Sequence, residues 1–213
     1  MQSPQVVILA GGLGSRLGEV TQKIPKCLVE VNGKPILSRI LDWAFEQKCD
    51  RALILTGYLG ELFEDFQHDI DLTFVKESEP LGTGGAIWNA REYLENEFIL
   101  VWGDDYHPIN YASLISSHRE NNSLLTMTVT EKHESMNLRH ENGKVIEYNK
   151  SSSSENFNGY EAGTSIVDKK VIEGYGKNGK WSWEETIYPA LSGEIIAHID
   201  NTKFWDMGTP ERL

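Results

Sequence analysis

Short apolar runs alternate with helix-like segments through the first half of this 213-residue chain. The apolar runs lie at residues 6–10, 51–56, 72–76 and 98–102. The segments between them place apolar residues at helical spacing, at residues 35–48, 58–67 and 83–95. A strand that is apolar at every position is buried on both faces, as parallel strands covered by helices are. The alternation therefore predicts an α/β fold with a Rossmann-like mixed, mainly parallel sheet flanked by helices.

The pattern becomes less regular after residue 105. Helical spacing recurs at residues 111–120 and 183–191. Shorter strand-like runs lie at residues 124–130, 144–148, 161–167, 195–199 and 203–207. The run of serines at residues 151–154 is typical of a surface loop rather than a domain linker. We therefore predict one domain over residues 1–213.

Acidic residues outnumber basic ones, with 32 Asp and Glu against 20 Lys and Arg and a net charge of −12. This charge disfavours binding to nucleic acid or to an anionic membrane, because both carry phosphate groups. A local phosphate pocket remains compatible with it. The two cysteines, Cys27 and Cys49, have no metal-binding or redox spacing, and no leader sequence precedes residues 6–10. We expect a cytoplasmic protein with structural thiols.

A glycine-rich loop follows the first apolar run directly. It consists of Leu9, Ala10, Gly11, Gly12, Leu13, Gly14, Ser15 and Arg16. Ligands of open α/β sheets bind beyond the carboxyl ends of the strands, and glycines there let backbone N–H groups approach a phosphate. Arg16 can pair with phosphate oxygens through two parallel hydrogen bonds. The loop has neither a Walker nor a dinucleotide pattern, and alone it is also compatible with a plain tight turn.

Two further motifs follow this loop, P-K-C-L at residues 25–28 and G-K-P-I at residues 33–36. With the loop they resemble the sugar-1-phosphate nucleotidylyltransferase family, whose members show G-G-x-G-T/S-R-L, P-K-x-L and G-K-P-I/L segments. The resemblance implies that the loop binds the nucleotide, and that Arg16 and Lys26 hold the triphosphate and neutralise charge developing at the α-phosphate. Taken alone, Lys26 would be interpreted as a solvated surface lysine.

The turn after the third predicted strand reads E-P-L-G-T-G-G at residues 79–85. In this form it looks most like the heptose and mannose 1-phosphate guanylyltransferases of the family. The resemblance implies that Glu77, Pro80, Gly82 and Thr83 contact the nucleobase and ribose. The resemblance also favours GTP as the donor, with CTP or UTP as alternatives. A carboxylate such as Glu77 can accept two hydrogen bonds from guanine, and equally one from the cytosine amino group. The plain alternative is a helix N-terminus capped by Thr83.

Asp104 and Asp105 follow the fourth predicted strand, and Asp206 lies in a D-M-G-T-P-E segment near the end of the chain. Strand-end carboxylates can hold Mg²⁺ against phosphates. The resemblance implies that Asp104 and Asp206 are the two metal-holding carboxylates, with Mg²⁺ as cofactor. It leaves the role of Asp105 open. Acids at strand ends are also common turn formers.

The acceptor side resembles the family less closely. Lys150 takes the position of the family's acceptor-phosphate lysine, but the acid that normally accompanies it is displaced or absent. Glu161 and Gly163 take the place of an N-A-G segment that touches the sugar, with a carboxylate where the family has an amide. Trp181 and Trp183 fit core packing better than stacking on a sugar. His107 is read as a surface residue, with acceptor contact as the alternative.

Together these motifs predict Mg²⁺-dependent transfer of a nucleoside monophosphate from an NTP to a sugar 1-phosphate, with pyrophosphate released. Residues 1–105 would form the nucleotide-binding half and residues 106–213 the acceptor-binding half. Three alternatives stay open: a non-sugar phosphate acceptor, a metal-dependent glycosyltransferase, and a non-catalytic nucleotide-sugar sensor. The base, the acceptor and the oligomeric state are not fixed by the sequence.

Overall fold

The computed structural model describes residues 3–12, 14, 20–150 and 154–206. The strands are β1 (Gln5–Leu9), β2 (Glu30–Val31), β3 (Lys34–Pro35), β4 (Arg51–Thr56), β5 (Asp71–Lys76), β6 (Glu97–Trp102), β7 (Asp105–Tyr106), β8 (Leu125–Thr130), β9 (Leu138–Glu141), β10 (Lys144–Tyr148), β11 (Tyr160–Asp168), β12 (Ile196–Ile199) and β13 (Trp205–Asp206). The α-helices are α1 (Ile36–Glu46), α2 (Gly82–Asn89), α3 (Tyr111–Glu120), α4 (Lys170–Tyr175) and α5 (Trp183–Ala190). Short 3-10 turns occupy Val20–Gln22, Lys26–Leu28, Gly60–Phe63 and Arg91–Tyr93.

Nine strands of the described residues form one sheet in the order β5-β4-β1-β6-β11-β8-β12-β10-β9. Strands β5, β4, β1 and β6 are parallel, β11 is antiparallel to β6 and β8, and β12 is parallel to β8. Two short pairs, β13-β7 and β2-β3, lie outside this sheet. The predicted mixed, mainly parallel sheet flanked by helices is confirmed. Its strands come from both predicted halves of the chain.

The core lies on both faces of the sheet, as the uninterrupted apolar runs predict. Within β1, Val6 and Ile8 face one core with α1 and α3, whereas Val7 faces the other with α2, α4 and α5. Side chains alternate between the faces of a strand, so a strand between two helical layers is apolar at every position. Each apolar residue of β1 thereby contributes to one of two cores that fix the sheet.

Two predicted helices are shorter than the sequence pattern suggested. The segment 58–67 contains only the 3-10 turn Gly60–Phe63. Leu59, directly before this turn, has a left-handed φ of 54°, so no regular helix can run through it. The segment 83–95 contains α2, which ends at Asn89 and continues as a 3-10 turn. Strand β9 and helix α4 were not predicted, because a four-residue polar strand and a six-residue helix carry little periodicity.

Cys27 and Cys49 are free and buried, and burial raises the pKa of both thiols to about 12. They are therefore protonated packing residues, as expected. Of the helices in the described ranges, none has the length and apolar character needed to cross a membrane.

Candidate active site

The carboxyl ends of the parallel strands meet at one edge of the sheet. Backbone bonds tie these ends together: Ala10 N donates to Leu55 O at 2.9 Å, and Gly103 N donates to Leu9 O at 3.0 Å. The N–H of Glu77 donates to Thr56 O at 2.9 Å. The glycine loop, Glu77 and the segment around Asp104 therefore lie side by side, where ligands of open α/β sheets bind.

The glycine loop passes directly beside Lys26. Gly14 has a φ of +61°, and a Cβ there would lie 2.7 Å from Thr21 Cγ2 and 3.3 Å from Lys26 Cβ. Thr21 Oγ1 also donates a hydrogen bond to Gly14 O at 2.8 Å. Glycine is therefore required for both its conformation and its lack of a side chain. The predicted ligands Ser15 and Arg16 lie outside the described residues.

Lys26 points into the site. Its ammonium is hydrogen-bonded to Asp104 Oδ2, and its side chain is only 11% exposed. The surface-lysine interpretation is therefore wrong, because the 3-10 turn that begins at Lys26 directs the side chain toward the strand end. The pair brings together two residues that the sequence separates by 78 positions.

Three carboxylates converge beside this ion pair. Oxygens of Asp104, Asp105 and Asp206 lie within 4.8 Å of one another. Asp105 and Asp206 are cross-strand partners in the β7–β13 pair. Burial and the neighbouring acids Asp104, Glu161 and Asp206 raise the pKa of Asp105 well above its usual range. Clustered carboxylate oxygens are the donor set that Mg²⁺ takes, so the residues fit a divalent cation.

Glu77 lies against the glycine loop. Its Oε2 accepts a hydrogen bond from Leu81 N at 3.1 Å, and a Cβ on Gly11 would lie 3.3 Å from its Oε1. Gly57 packs still more closely against the same carboxylate. Burial raises the pKa of Glu77. Pro80 and Gly82, which follow Glu77 in the chain, are exposed. Glu77 therefore lies beside Gly11 at the sheet edge, next to an exposed turn.

Thr83 does not cap a helix. It lies inside α2, and its Oγ1 accepts a hydrogen bond from Trp183 N at 2.8 Å. The amides of Gly84 and Gly85 donate instead to Trp181 O, at 3.0 and 3.4 Å. The capping interpretation is therefore wrong, because the segment before α5 supplies the acceptor for the first turn of α2.

Glu161 and Gly163 adjoin the carboxylate cluster through β11. Glu161 Oε1 accepts hydrogen bonds from Trp102 Nε1 at 2.9 Å and from Gly163 N at 3.0 Å. Gly163, with a φ of +73°, packs so that a Cβ would lie 2.5 Å from Asp105 Oδ2. Among the described residues, Lys150 makes its ion pair with Glu184 rather than with Glu161. Of the predicted acceptor residues, Glu161 and Gly163 thus contact each other, whereas Lys150 contacts Glu184.

Glu161 has an unusual ionisation. Burial, the largest cause, raises its pKa from 4.5 to about 7, and the Glu184 carboxylate contributes. The hydrogen bonds from Trp102 and Gly163 lower it and only partly compensate. The protonated carboxyl is therefore favoured in the folded state more than in the unfolded chain.

Glu161→Gln is expected to weaken the dependence of stability on pH. A raised folded-state pKa gives stability that is present below pH 4.5 and lost as pH rises through about 7. Between pH 5 and pH 8 the wild type should lose about 2–3 kcal/mol more unfolding free energy than the variant. Denaturant titrations at both pH values measure this difference. Equal losses in both proteins would contradict the assignment.

His107 and the two tryptophans are structural residues. His107 is only 4% exposed, with Nδ1 3.1 Å from Ala162 O and Nε2 3.0 Å from Thr202 O. The surface interpretation is therefore wrong, because His107 links the start of β11 to the segment that carries Asp206. Trp181 and Trp183 are buried in the core as predicted, and Trp181 packs its ring on Gly84.

Two residues of the site were not identified from the sequence. Asp105 carried a signal, since it is adjacent to Asp104, but its role was left open. Glu184 carried none, because its partner Lys150 lies 34 positions away. Only the fold brings such a pair together.

The sequence model of the nucleotidyl transferase family matches residues 5–157. The D-glycero-alpha-D-manno-heptose 1-phosphate guanylyltransferase of Aneurinibacillus thermoaerophilus is 28% identical over 221 residues, which cover 97% of this chain and 94% of that protein. The mannose-1-phosphate guanylyltransferase of Mycobacterium tuberculosis is 27% identical over 219 residues, covering 96% and 61% respectively. The crystal structure of HddC from Yersinia pseudotuberculosis complexed with GMP-PN has a TM-score of 0.84 and 32% identity, covering 98% of this chain and 96% of that one.

Proposed function

The chain belongs to the nucleotidyl transferase family, and on this premise we propose that it transfers a nucleoside monophosphate from an NTP to a sugar 1-phosphate. The observation that carries the proposal is the convergence of Lys26 with Asp104, Asp105 and Asp206 beside the glycine loop. Cationic and metal-binding groups beside a phosphate-binding loop are the parts that phosphoryl-type transfer requires.

The reaction needs no activated side-chain nucleophile. An oxygen of the acceptor phosphate forms a bond to the α-phosphorus of the NTP, and the bond from that phosphorus to the bridging oxygen of pyrophosphate breaks. The acceptor phosphate is already anionic, so no general base is required. Lys26 and Arg16 would neutralise the charge that develops, and the strand ends would align the two phosphates.

We propose Mg²⁺ as the cofactor, held by Asp104, Asp105 and Asp206. Bound there, the ion would supply charge neutralisation between the phosphates and the protein. Asp105 extends the two predicted ligands to three. The protein's own contribution is to fix these carboxylates through β6 and the β7–β13 pair.

We propose GTP as the donor. The two relatives described above are named guanylyltransferases, and the solved relative was crystallised with GMP-PN. Glu77 is compatible with this choice, because its carboxylate lies beside Gly11 and can accept hydrogen bonds from guanine, but the preference over CTP rests on the relatives. Pro80, Gly82 and Thr83 would complete the base and ribose contacts.

We propose a sugar 1-phosphate of manno configuration as the acceptor, since the relatives' names specify manno-heptose and mannose 1-phosphates. Lys150 would contact the acceptor phosphate, and Glu161 and Gly163 the sugar. The hydrogen bond from Trp102 at the end of β6 to Glu161 supports this placement of the acceptor, because it holds Glu161 next to the carboxylate cluster.

A pyrophosphate-release assay tests the proposal. Purified protein with Mg²⁺ should release pyrophosphate fastest with GTP plus α-D-mannose 1-phosphate or the manno-heptose 1-phosphate, slower with CTP or UTP, and not without acceptor. EDTA should abolish release. Turnover with phosphocholine but with no sugar 1-phosphate would show that the acceptor is a non-sugar phosphate. Release of NDP from a nucleotide-sugar would indicate a glycosyltransferase, and nucleotide binding without any turnover a sensor.

A further inference from the structure

The ion pair between Lys150 and Glu184 joins an exposed cation to a buried anion. Lys150 Nζ lies 2.6 Å from Glu184 Oε1, and the two side chains are 58% and 7% exposed. A buried carboxylate must be paired or hydrogen-bonded to remain charged. Among the described residues, Lys150 forms the ion pair with Glu184. The carboxylate therefore has a fixed position, and the ammonium is held at its outer side.

Helix α5 gives Glu184 that fixed position. Ser182 caps the helix by accepting a hydrogen bond from Glu185 N, and Glu184 lies in the first turn. The preceding residue, Trp183, is fully buried and donates its N–H to Thr83 Oγ1 at 2.8 Å. Two consecutive residues of α5 thus reach the nucleotide-side turn and the acceptor-side lysine. The first turn of α5 thereby fixes the position of the Lys150 ammonium relative to the turn that contains Thr83.

Lys150 needs such a partner. A lysine side chain is a long flexible stem with a point charge, so an unheld surface lysine samples many rotamers and loses them on binding a phosphate. A pair that is more than half exposed on the lysine side contributes little to folding stability. Its effect is to restrict where the ammonium can be. Glu184 raises and Lys150 lowers the pKa of Glu161, so the ion pair lies near this predicted acceptor residue of β11.

We propose that Glu184 is a positioning residue for the acceptor: it holds the Lys150 ammonium where the acceptor phosphate binds. The proposal rests on the proposed function, because it needs Lys150 to contact that phosphate. Glu184 places an acid from α5 beside Lys150, where the acid of the family's pattern is displaced or absent in the sequence. No bond is made or broken by this pair. The ammonium is shared between Glu184 and the incoming phosphate, so loss of Glu184 weakens acceptor binding more than nucleotide binding.

Steady-state kinetics with GTP and α-D-mannose 1-phosphate test this role. Glu184→Gln should raise KM for the sugar phosphate about tenfold and leave KM for GTP within about twofold. Glu184→Asp should recover part of the loss. Glu185→Gln is the matched control, since it removes the same charge from an exposed neighbour in the same helical turn and should match the wild type. Combined with Lys150→Met, Glu184→Gln should add almost nothing, because both changes remove one interaction.

An unchanged acceptor KM in Glu184→Gln, with an active wild type, would overturn the positioning role and leave the proposed function intact. Equal rises in both KM values would assign Glu184 to general structure and also overturn it. A second measurement does not depend on turnover. Acylation of Lys150 by acetic anhydride, followed by mass spectrometry of its peptide, should be several-fold faster in Glu184→Gln than in wild type or Glu185→Gln. Equal rates would show that Glu184 does not hold the ammonium.

Discussion

Asp206→Asn is expected to lower kcat/KM for pyrophosphate release about a thousandfold without destabilising the fold. Asp206 lies on the short strand β13, where its carboxylate oxygen is within 4.8 Å of those of Asp104 and Asp105. Three carboxylates this close repel one another, so neutralising one of them removes repulsion. The melting temperature in EDTA should therefore equal or exceed that of the wild type.

Magnesium titration distinguishes a lost ligand from a damaged fold. Mg²⁺ should raise the melting temperature of the wild type, because a ligand that binds only the folded state stabilises it. The same titration should have little effect on Asp206→Asn. The exposed acid Asp65 provides the control, and Asp65→Asn should behave as the wild type in both assays. Near-normal turnover by Asp206→Asn would show that Asp206 is not required to bind the ion during catalysis.

The donor side of the site was readable from the sequence because its parts are local. The parallel strands β1, β4 and β6 are mostly apolar runs, and the residues that follow parallel strands fall at one edge by topology alone. The sequence pattern therefore predicts that Gly11, Glu77 and Asp104 lie together. The inward direction of Lys26 depended on the turn that begins at that residue, which no periodicity encodes.

The acceptor side was less readable because its contacts span the chain. The ring nitrogens of the buried His107 lie against the carbonyls of residues 162 and 202, and the exposed Lys150 pairs with a residue of α5. Periodicity indicates which face of a single helix or strand is buried. It does not indicate which residues, distant in sequence, the antiparallel strands of the sheet bring together. The segments that surround this region, β9 and α4, were also too short to predict.

The proposed phosphate site depends on a local arrangement of groups rather than on the net charge of the chain. Burial and three neighbouring acids raise the pKa of Asp105, and burial raises the pKa of Glu77, so acidic groups are concentrated at this edge of the sheet. Lys26 offsets part of the remaining charge through Asp104. Such a site attracts anionic nucleotide only when cations compensate its carboxylates, which is why we expect turnover to depend on Mg²⁺.

Gly163→Ala is expected to lower kcat/KM about a hundredfold through the backbone of β11. Gly163 has a φ of +73°, and a Cβ there would lie 2.5 Å from Asp105 Oδ2 and 2.9 Å from Asp105 Cβ. Because the clash includes Asp105 Cβ, rotation of the carboxylate cannot relieve it, and the strand β7 must shift. That shift changes the position of Asp105 relative to Asp104 and Asp206, so the variant should need more Mg²⁺ for half-maximal rate.

Gly143→Ala separates this displacement from backbone strain. Gly143 has nearly the same φ, +75°, but a Cβ there would meet nothing within 4 Å. Each variant should lose about 1–2 kcal/mol of unfolding free energy from the left-handed conformation, and Gly163→Ala should lose more because its Cβ clashes with Asp105. Only Gly163→Ala should also lose activity and shift the Mg²⁺ dependence, measured by pyrophosphate release over a magnesium series. Equal activity in the two variants would mean that Asp105 is not held in place by Gly163, and that the third carboxylate does not take part in binding the ion.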